Sequence, residues 1–248
     1  MINLRPYCTA RYKMNDVSGT TVVDSMETSN GTSQRDTSLM TVAGKIGTAL
    51  TFNGSSDYIN TNSTFQSTFQ NSFSVNLWCK VTDGQSVEQF LWGAQNAPAT
   101  MIAELYIQSN GTLSFLSLAA GNQGAELDHQ TFSSGQNDWK MVTVVATYLS
   151  ERYSDFVFYI NGSWAAETGS VQMGLADYLS SMKVYLGGLN WNNTLTEPFT
   201  GALDNVAIFN KALSTDEIAF LWNNGNGTED LVESGVYMDD FLQPAWGW

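Results

Sequence analysis

The sequence predicts one all-β domain built as a two-sheet sandwich, and three observations support this. Charged residues make up only 14% of the 248 residues, against about 25% in an average domain. Thr, Ser, Asn and Gly take their place, and these residues suit strands and turns rather than exposed helix faces. Strand-like runs and six Asn-Gly pairs recur along the whole chain without a break in composition. A second folded domain is therefore not expected.

Four runs are predicted as strands because they alternate in hydrophobicity or are rich in β-branched and aromatic residues. They are residues 73–81, 141–148, 183–189 and 202–209. Three Asn-Gly pairs predict hairpins, because a type I′ turn needs positive φ at both central positions; they are Asn53-Gly54, Asn110-Gly111 and Asn161-Gly162. A further pair, Gly187-Gly188, predicts a bulge or a close backbone approach.

One short helix is predicted near the C-terminus. Ser214 suits the N-cap, and Glu217 three residues later completes a capping box. Ile218, Leu221 and Trp222 follow at helical spacing, and Gly225 predicts the helix end.

An acidic and aromatic tail, residues 228–248, is predicted to follow a sandwich of residues 1–227. Its apolar residues predict that it docks on a surface, either of its own domain or of a neighbouring subunit or partner such as a capsid or other virion protein. The docking residues proposed for this segment are Phe241, Leu242, Trp246 and Trp248.

The charge balance restricts the partners. The chain carries 24 acidic and 10 basic residues, a formal net charge of −14, so its field repels nucleic acid and anionic membrane surfaces. No apolar run approaches the roughly 20 residues that span a bilayer, so membrane insertion is not expected. The N-terminus has no signal peptide pattern, which predicts synthesis in the cytoplasm.

The cysteine and histidine content excludes several kinds of site. Cys79 lies in an alternating apolar run and is predicted to be a buried structural thiol; a bridge between Cys8 and Cys79 is the alternative. His129 is the single histidine, so a histidine zinc site or a Ser-His-Asp triad has too few residues.

Several short sequence motifs follow one another in a characteristic order: GKIGTALTFNG at residues 44–54, FSVNLW at 73–78, WKMV at 139–142, YING at 159–162 and GALDNVAIFN at 201–210. Together they resemble laminin-G-like domains of the concanavalin-A-like lectin/glucanase superfamily, although Lys140 and Met141 stand where those domains have two histidines. The resemblance covers residues 7–225 and implies an antiparallel jelly-roll sandwich. The sequence of residues 12–25 also resembles versions of the domain found in bacteriophage proteins.

The resemblance also implies a structural calcium ion, the one cofactor expected. Similar domains hold calcium between the first loop and the Asp of the last long strand, which here are Asp24, Asn30 and Asp204. Oxygen donors of this kind suit calcium. The alternative is that Asp24 and Asn30 cap turns and that Asp204 accepts hydrogen bonds from a loop.

An enzyme is not expected. Retaining glucanases of this superfamily place Glu-x-Asp-x-x-Glu on one strand, and two carboxyl groups about 5 Å apart perform the reaction. The nearest string here starts at Glu126 and Asp128 but ends in Thr131, so the second catalytic carboxyl group is missing.

The segment 190–197 is the predicted ligand-binding loop. A Trp ring stacks on the apolar face of a sugar, and Asn amides pair with adjacent hydroxyl groups; the residues proposed are Asn190, Trp191, Asn192 and Asn193. A Trp packed on the core edge is the alternative.

The sequence thus predicts a non-enzymatic recognition module that binds a glycan or host-surface carbohydrate, displayed on a bacteriophage virion. The alternative is a structural decoration or capsid-associated protein that uses the fold as a scaffold and is anchored by its tail. A glycoside hydrolase is the minor alternative.

Overall fold

The computed structural model describes residues 1–82, 87–95, 102–119, 123–132, 137–150, 153–170, 183–191 and 194–234. It confirms the predicted all-β fold, because two antiparallel sheets form a sandwich with a short C-terminal helix. The strands are β1 Cys8–Tyr12, β2 Thr21–Val22, β3 Gly31–Ser33, β4 Thr41–Ala43, β5 Thr48–Asn53, β6 Ile59–Asn60, β7 Phe73–Val81, β8 Gln89–Gln95, β9 Ile102–Ile107, β10 Thr112–Ala119, β11 Gln123–Gln130, β12 Lys140–Ser150, β13 Tyr153–Ile160, β14 Ser163–Glu167, β15 Val184–Leu186, β16 Leu189–Trp191, β17 Thr194–Thr196 and β18 Thr200–Phe209. The helices are α1 Gln66–Phe69 and α2 Thr215–Trp222, and three 3₁₀ turns span Arg5–Tyr7, Thr37–Leu39 and Asn223–Gly225.

The first sheet has the strand order β14-β13-β12-β7-β18-β5-β4, and β1 pairs with the second half of β18. The second sheet has the order β11-β10-β9-β8-β15-β6-β3-β2. A separate two-stranded ribbon, β16-β17, lies between β15 and β18 in the sequence.

The main core lies between the two sheets, and strand β7 shows how the sequence builds it. Phe73, Val75, Leu77 and Cys79 point into this core, because alternate strand residues face the same side. Trp78 faces the other side and belongs to a second apolar cluster on the outer face of the first sheet. The strand is therefore covered on both faces, as its nearly continuous apolar sequence requires.

Helix α2 covers that outer face. The predicted capping box is confirmed: the Ser214 hydroxyl accepts from the Glu217 N–H, and the Glu217 carboxylate accepts from the Ser214 N–H at 2.9 Å. Ile218 and Leu221 are buried in the second cluster. The helix ends at Trp222 rather than at Gly225, because Asn223 already takes a left-handed conformation with φ 48°.

The Asn-Gly predictions have different outcomes. Asn161-Gly162 joins β13 to β14 with φ values of 52° and 78°, which confirms the two-residue hairpin. Asn110-Gly111 also lies in a hairpin, between the antiparallel strands β9 and β10, but the connection there is longer than two residues. The prediction for Asn53-Gly54 is wrong, because β5 belongs to the first sheet and β6 to the second. This turn crosses between the sheets instead.

Residues 183–189 form two strands, β15 and β16, rather than the single predicted strand. Gly187-Gly188 separates them, and Gly187 has φ +73°. A Cβ atom there would lie 2.2 Å from the Phe52 ring. The predicted close approach is confirmed, and it explains why the strand breaks at this point.

The two cysteines are free and buried. Cys8 belongs to the second cluster and Cys79 to the main core, so they lie on opposite faces of the first sheet. The alternative of a bridge between them is therefore not realised. Burial raises the pKa of each thiol to about 12, which makes both groups unreactive at neutral pH.

The packed part of the chain extends beyond residue 227. The Leu4 N–H donates to the Leu231 carbonyl at 2.7 Å, and the Glu233 N–H donates to the Ile2 carbonyl at 2.8 Å. Leu231 is buried in the second cluster, so residues 228–233 join the N-terminal segment. Phe241, Leu242, Trp246 and Trp248 lie outside the described residues.

Within the ranges that the structure describes, no helix is long and apolar enough to span a membrane.

Candidate functional site

The outward faces of the two sheets differ in chemistry. On the first sheet, Trp78, Met141 and Phe209 are buried beneath α2 and the packed chain ends. On the second sheet, the inward residues of each strand fill the core, and the outward residues are mostly polar. Many of them are at least partly exposed, while Phe90, Tyr106 and Ser114 are buried. We call this outward side of the second sheet the open face.

One continuous row of residues crosses the open face. The strand registers place its members side by side on seven strands, which follow one another in the order β3, β6, β15, β8, β9, β10 and β11. In that order the row reads Thr32, Asn60, Tyr185, Gly93, Glu104, Leu116 and Glu126.

The row has a gap at Gly93. This residue has φ +154°, and a Cβ atom would lie 2.1 Å from the Ala103 carbonyl oxygen, so a side chain does not fit without a backbone shift. Tyr185 and Glu104 flank this position in the register. Gly93 thus places no side chain between an aromatic residue and an acidic one, and we call this position in the row the notch; Gly93 itself is buried.

Polar groups form a hydrogen-bonded network beside the row. The Tyr106 hydroxyl donates to the Glu126 carboxylate at 2.7 Å, and the Ser114 hydroxyl donates to Asp128. The Gln108 amide donates to the Ser114 hydroxyl at 2.8 Å. Each side chain is thus held in place by a partner on another strand or in the β9–β10 connection, which preorganises donors and acceptors on a rigid sheet.

A cavity of about 580 Å³ lies at one end of the open face, and its lining includes Glu88, Ser109 and Glu197. Glu197 follows the β16-β17 ribbon with φ 50°, and its carbonyl accepts from the Phe90 N–H at 2.8 Å. A positive φ at a residue other than Gly stores backbone strain, which clusters at functional positions. Burial, together with the Glu88 carboxylate, raises the pKa of Glu197.

Glu104 connects this cavity to the row. Burial, and after it charge repulsion from Glu197, Glu88 and Glu126, together raise the pKa of its carboxyl group to about 8. The group is therefore largely protonated at neutral pH and acts as a hydrogen-bond donor as well as an acceptor.

Tyr185 supplies the aromatic surface of the row. Its ring packs edge-on against Tyr58, with the ring centroids 6.0 Å apart, and burial raises the pKa of its hydroxyl group. A fixed, neutral tyrosine offers an apolar ring and a hydroxyl donor together, which suits one face of a sugar ring.

The predicted ligand-binding loop forms the β16-β17 ribbon. Asn190 pairs with Leu195 and Trp191 with Thr194, so the backbone of both predicted residues lies in a strand rather than in a loop. Asn192 and Asn193 lie outside the described residues. Because Glu197 directly follows the ribbon and acts on the pKa of Glu104, the ribbon borders the open face. A ligand-binding role for Asn190 and Trp191 stays a prediction.

The predicted calcium ligands have other partners in the structure. The two Asp24 oxygens accept four backbone N–H groups, from Arg11, Met26, Thr28 and Ser29, at 2.7–3.0 Å. The Asn30 side-chain oxygen accepts from the Asp24 N–H at 2.9 Å. These contacts are the turn-capping alternative. A cation at Asp24 would have to displace N–H donors from carboxylate oxygens that are already saturated.

Asp204 lies apart from these contacts. One of its oxygens accepts from Lys45 and Ile46, each at 2.8 Å, and its other oxygen is buried without a hydrogen-bond partner. Burial raises the pKa of this carboxyl group to about 7. In the described part of the chain, no group of three or more His, Cys, Asp or Glu residues has the arrangement of a metal site. Calcium binding by Asp24, Asn30 and Asp204 thus stays a prediction that this geometry does not favour.

Sequence reasoning missed Glu104, Tyr106 and Tyr185. The alternation of residues 103–107 carried the signal for the first two, because Ala103, Leu105 and Ile107 are core residues. Tyr185 had no comparable local signal. Its place beside Gly93 depends on the pairing of β15 with β8.

Comparison with known proteins supports the same fold. Domain 4 of AbnA, an extracellular arabinanase from Geobacillus stearothermophilus solved with arabinotriose, is 22% identical over 86% of this chain and 96% of that domain, with a TM-score of 0.59. The CBM40 module of a Ruminococcus gnavus sialidase, solved with sialyllactose, is 17% identical over 68% of this chain and 94% of that module, with a TM-score of 0.56. The receptor-binding domain of the botulinum neurotoxin C/D mosaic serotype is 16% identical over 89% of this chain and 52% of that domain, with a TM-score of 0.65. No curated protein sequence matches this chain.

The family is shown by sequence. The Laminin_G_3 model of the concanavalin A-like lectin/glucanases superfamily matches residues 53–219, which include β7, the open-face strands β8–β11 and β18. The match covers more than half of the chain, and the sandwich described above is the fold that the sequence resemblance implied. The chain therefore belongs to the Laminin_G_3 family of the concanavalin A-like lectin/glucanases superfamily.

Proposed function

We propose that this chain is a non-enzymatic recognition module that binds a glycan on the open face. The observation that carries the proposal is the notch at Gly93, which lies between the Tyr185 ring and the Glu104 carboxyl group. An aromatic ring covers the apolar face of a sugar, and carboxyl, amide and hydroxyl groups pair with its hydroxyl groups. The open face offers these groups on adjacent strands of a rigid sheet.

Structurally similar domains support a glycan as the ligand. The arabinanase domain was solved with arabinotriose and the sialidase module with sialyllactose, so proteins of this fold bind oligosaccharides. Fold alone does not fix function. The proposal for this chain therefore rests on the residues of its own open face.

The charges on the open face favour a neutral glycan over an acidic one. Glu88, Glu126, Asp128 and Glu197 lie on it or at its end. The described outward positions of β8–β11 carry no Lys or Arg. An anionic sugar would meet like charges without a cationic partner, which costs affinity.

The carboxyl groups do not suggest a glycosidase. In the strand register, Glu104 and Glu126 are separated by Leu116 on the intervening strand β10, so their backbones are about 10 Å apart at the usual strand spacing. The Glu126 carboxylate accepts from Tyr106, and Thr131 contacts His129 at 2.9 Å where the glucanase motif has its second Glu. We therefore propose binding without catalysis.

A glycan array tests the proposal. The full chain, labelled and purified, is applied to neutral oligosaccharides and to sialylated or uronic-acid glycans, once with calcium and once with a chelator. We expect binding to a set of neutral glycans that the chelator does not abolish. Selective binding to acidic glycans would contradict the charge argument, and binding to none would move the proposal to the structural alternative.

We further propose that the module is displayed on a bacteriophage virion, with a structural decoration or capsid-associated protein as the alternative. The sequence of residues 12–25 supports display on a virion, and the acidic and aromatic residues of segment 235–248 support anchoring by the tail. If the tail anchors the chain, substituting Trp246 and Trp248 together with Ala should abolish association with virion particles and leave glycan binding unchanged. Loss of glycan binding instead would contradict an anchoring role.

A further inference from the structure

A second cavity lies on the opposite side of the molecule from the open face. It has a volume of about 300 Å³ and lies between strand β1 and the packed C-terminal segment. Its lining residues are Arg5, Arg11, Lys13, Ser25, Met26, Glu229, Asp230, Leu231 and Val232. Three of the ten basic residues of the chain thus line one cavity in a protein whose net charge is −14.

Arg11 is the central feature of this cavity. It lies on β1 opposite Ala207 and is only 2% exposed. Its guanidinium donates to the Asn205 side chain at 2.8 Å and to the carbonyls of Glu229 and Thr228 at 2.6 and 2.8 Å. These are neutral acceptors, so they fix the position of the group without neutralising its charge.

The Arg11 charge has no ion-pair partner among the described residues. The ion pairs among the described residues are formed by the N-terminal amine, Lys13, Arg35 and Lys211. Burial lowers the pKa of Arg11, and the acids Glu229, Asp230 and Asp204 oppose this from a longer range. A buried cation without a counterion is costly, so the arrangement favours an anion that enters the cavity.

The hydrogen-bonding capacity of Arg11 is also incomplete. A guanidinium carries five N–H groups, and its three contacts use one each on Nε, Nη1 and Nη2. One N–H on each Nη atom remains without an acceptor in the described residues. A carboxylate that accepts from either group would form a charge-assisted hydrogen bond with the guanidinium.

Among the residues that line the cavity, three are basic and two are acidic. Glu229 is already neutralised by Lys13 at 2.8 Å and also accepts from Asn15 at 2.6 Å. Arg5 is exposed, and its side chain forms no ion pair among the described residues. Arg5 and Arg11 together therefore exceed the single remaining acid, Asp230.

We propose that this cavity is a carboxylate-binding site, formed by Arg11 with Arg5 at its entrance. The carboxylate comes either from a free acidic ligand or from this chain's own acidic segment that follows Ser234. Asp239 and Asp240 are the two acids of that segment. The site is separate from the glycan site, since β1 belongs to the first sheet.

Acetate is the probe for the test, with chloride at equal ionic strength as its reference. The full chain, labelled with ¹⁵N, is titrated while the Arg11 Nε–H signal and the amide signals of residues 229–232 are followed. We expect saturable shifts with acetate and not with chloride. We also expect Arg5→Gln to weaken acetate binding about fivefold, in line with the loss of one partly exposed charge.

Lys183→Gln is the matched control, because this exposed cation precedes β15 in the second sheet and should leave acetate binding unchanged. Using Arg5 as the test residue avoids removing the buried Arg11 and its structural contacts. An acetate response that equals the chloride response, or an Arg5→Gln variant with unchanged affinity, would overturn the proposal.

The double variant Asp239→Asn/Asp240→Asn distinguishes the two sources. If the chain's own segment supplies the carboxylate, the variant should bind acetate more tightly than the natural chain. If the ligand is a free acid, the two proteins should bind acetate equally. Failure of both proteins to show saturable acetate binding would exclude the site, whatever the outcome for the open face.

Discussion

At the scale of single residues, buried acidic groups in this protein hold loops in place. Asp24 is the clearest example, because it is 1% exposed and accepts four backbone N–H groups. A carboxylate that accepts four N–H groups can hold the first loop in place through these contacts alone. Its role is therefore separable from calcium binding by experiment.

Replacing Asp24 with Asn tests this role. The change turns one acceptor oxygen into a donor facing two N–H groups, so we expect a loss of about 2 kcal/mol or more in the free energy of unfolding. Urea denaturation measures it. Asp36→Asn is the control, because this carboxylate accepts only two backbone N–H groups in the structure, from Gly19 and Ser38, and both on one oxygen that the amide can retain. A melting temperature of the natural chain that rises clearly with calcium would contradict the turn-capping account.

At the scale of elements, the β16-β17 ribbon links the predicted site to the observed one. It connects β15, which carries Tyr185, to β18 in the other sheet. Its last neighbour, Glu197, acts on the pKa of Glu104. The ribbon contains the residues that first indicated sugar binding. It therefore places them at the border of the open face.

Replacing Trp191 with Ala tests the ribbon. We expect glycan affinity to fall about tenfold, which is about 1.4 kcal/mol, because the sequence predicts that the Trp191 ring stacks on a sugar. Isothermal titration calorimetry measures it. Trp164→Ala is the matched control, since Trp164 is 58% exposed and lies on the edge strand β14 of the first sheet. Equal effects of the two changes would argue against a specific role for the ribbon.

Individual elements show how much the sequence could predict. Strand β7 and the capping box of α2 were predicted because their signals are local, and so was the turn at Asn161-Gly162. The turn at Asn53-Gly54 was mispredicted, because distant partners decide whether a turn makes a hairpin: β5 pairs with β18, and β6 pairs with β15. The notch at Gly93 was beyond prediction for the same reason, since it requires two strand pairings between distant segments.

At the scale of the whole molecule, each sheet has a distinct role. The central strands of the first sheet are buried on both faces, and the N-terminal segment and residues 228–233 pack on it, so it provides stability. The second sheet is buried on one face and polar on the other. Two acidic groups, Glu104 on β9 of the second sheet and Asp204 on β18 of the first, are partly removed from water. Because burial raises their pKa values, the stability of the molecule depends on pH.

Stability should fall as the pH rises from about 4 to about 8. The pKa of Glu104 is raised from 4.5 to about 8 and that of Asp204 from 3.8 to about 7. Between these values the unfolded chain has lost the protons that the folded chain retains, so a rising pH favours unfolding. Urea denaturation across this range measures the slope. Glu104→Gln should flatten its upper part, and an unchanged slope would contradict the assigned pKa.

The central claim is that a glycan binds at the notch beside Gly93, and one comparison tests it most directly. The affinity of a neutral oligosaccharide selected on the array is measured by calorimetry for the natural chain, for Tyr185→Ala and for Tyr153→Ala. Tyr153 is 44% exposed on β13 of the first sheet and serves as the matched control. We predict that Tyr185→Ala weakens binding about tenfold or more and that Tyr153→Ala leaves it unchanged. Unchanged binding by a folded Tyr185→Ala variant would contradict the account.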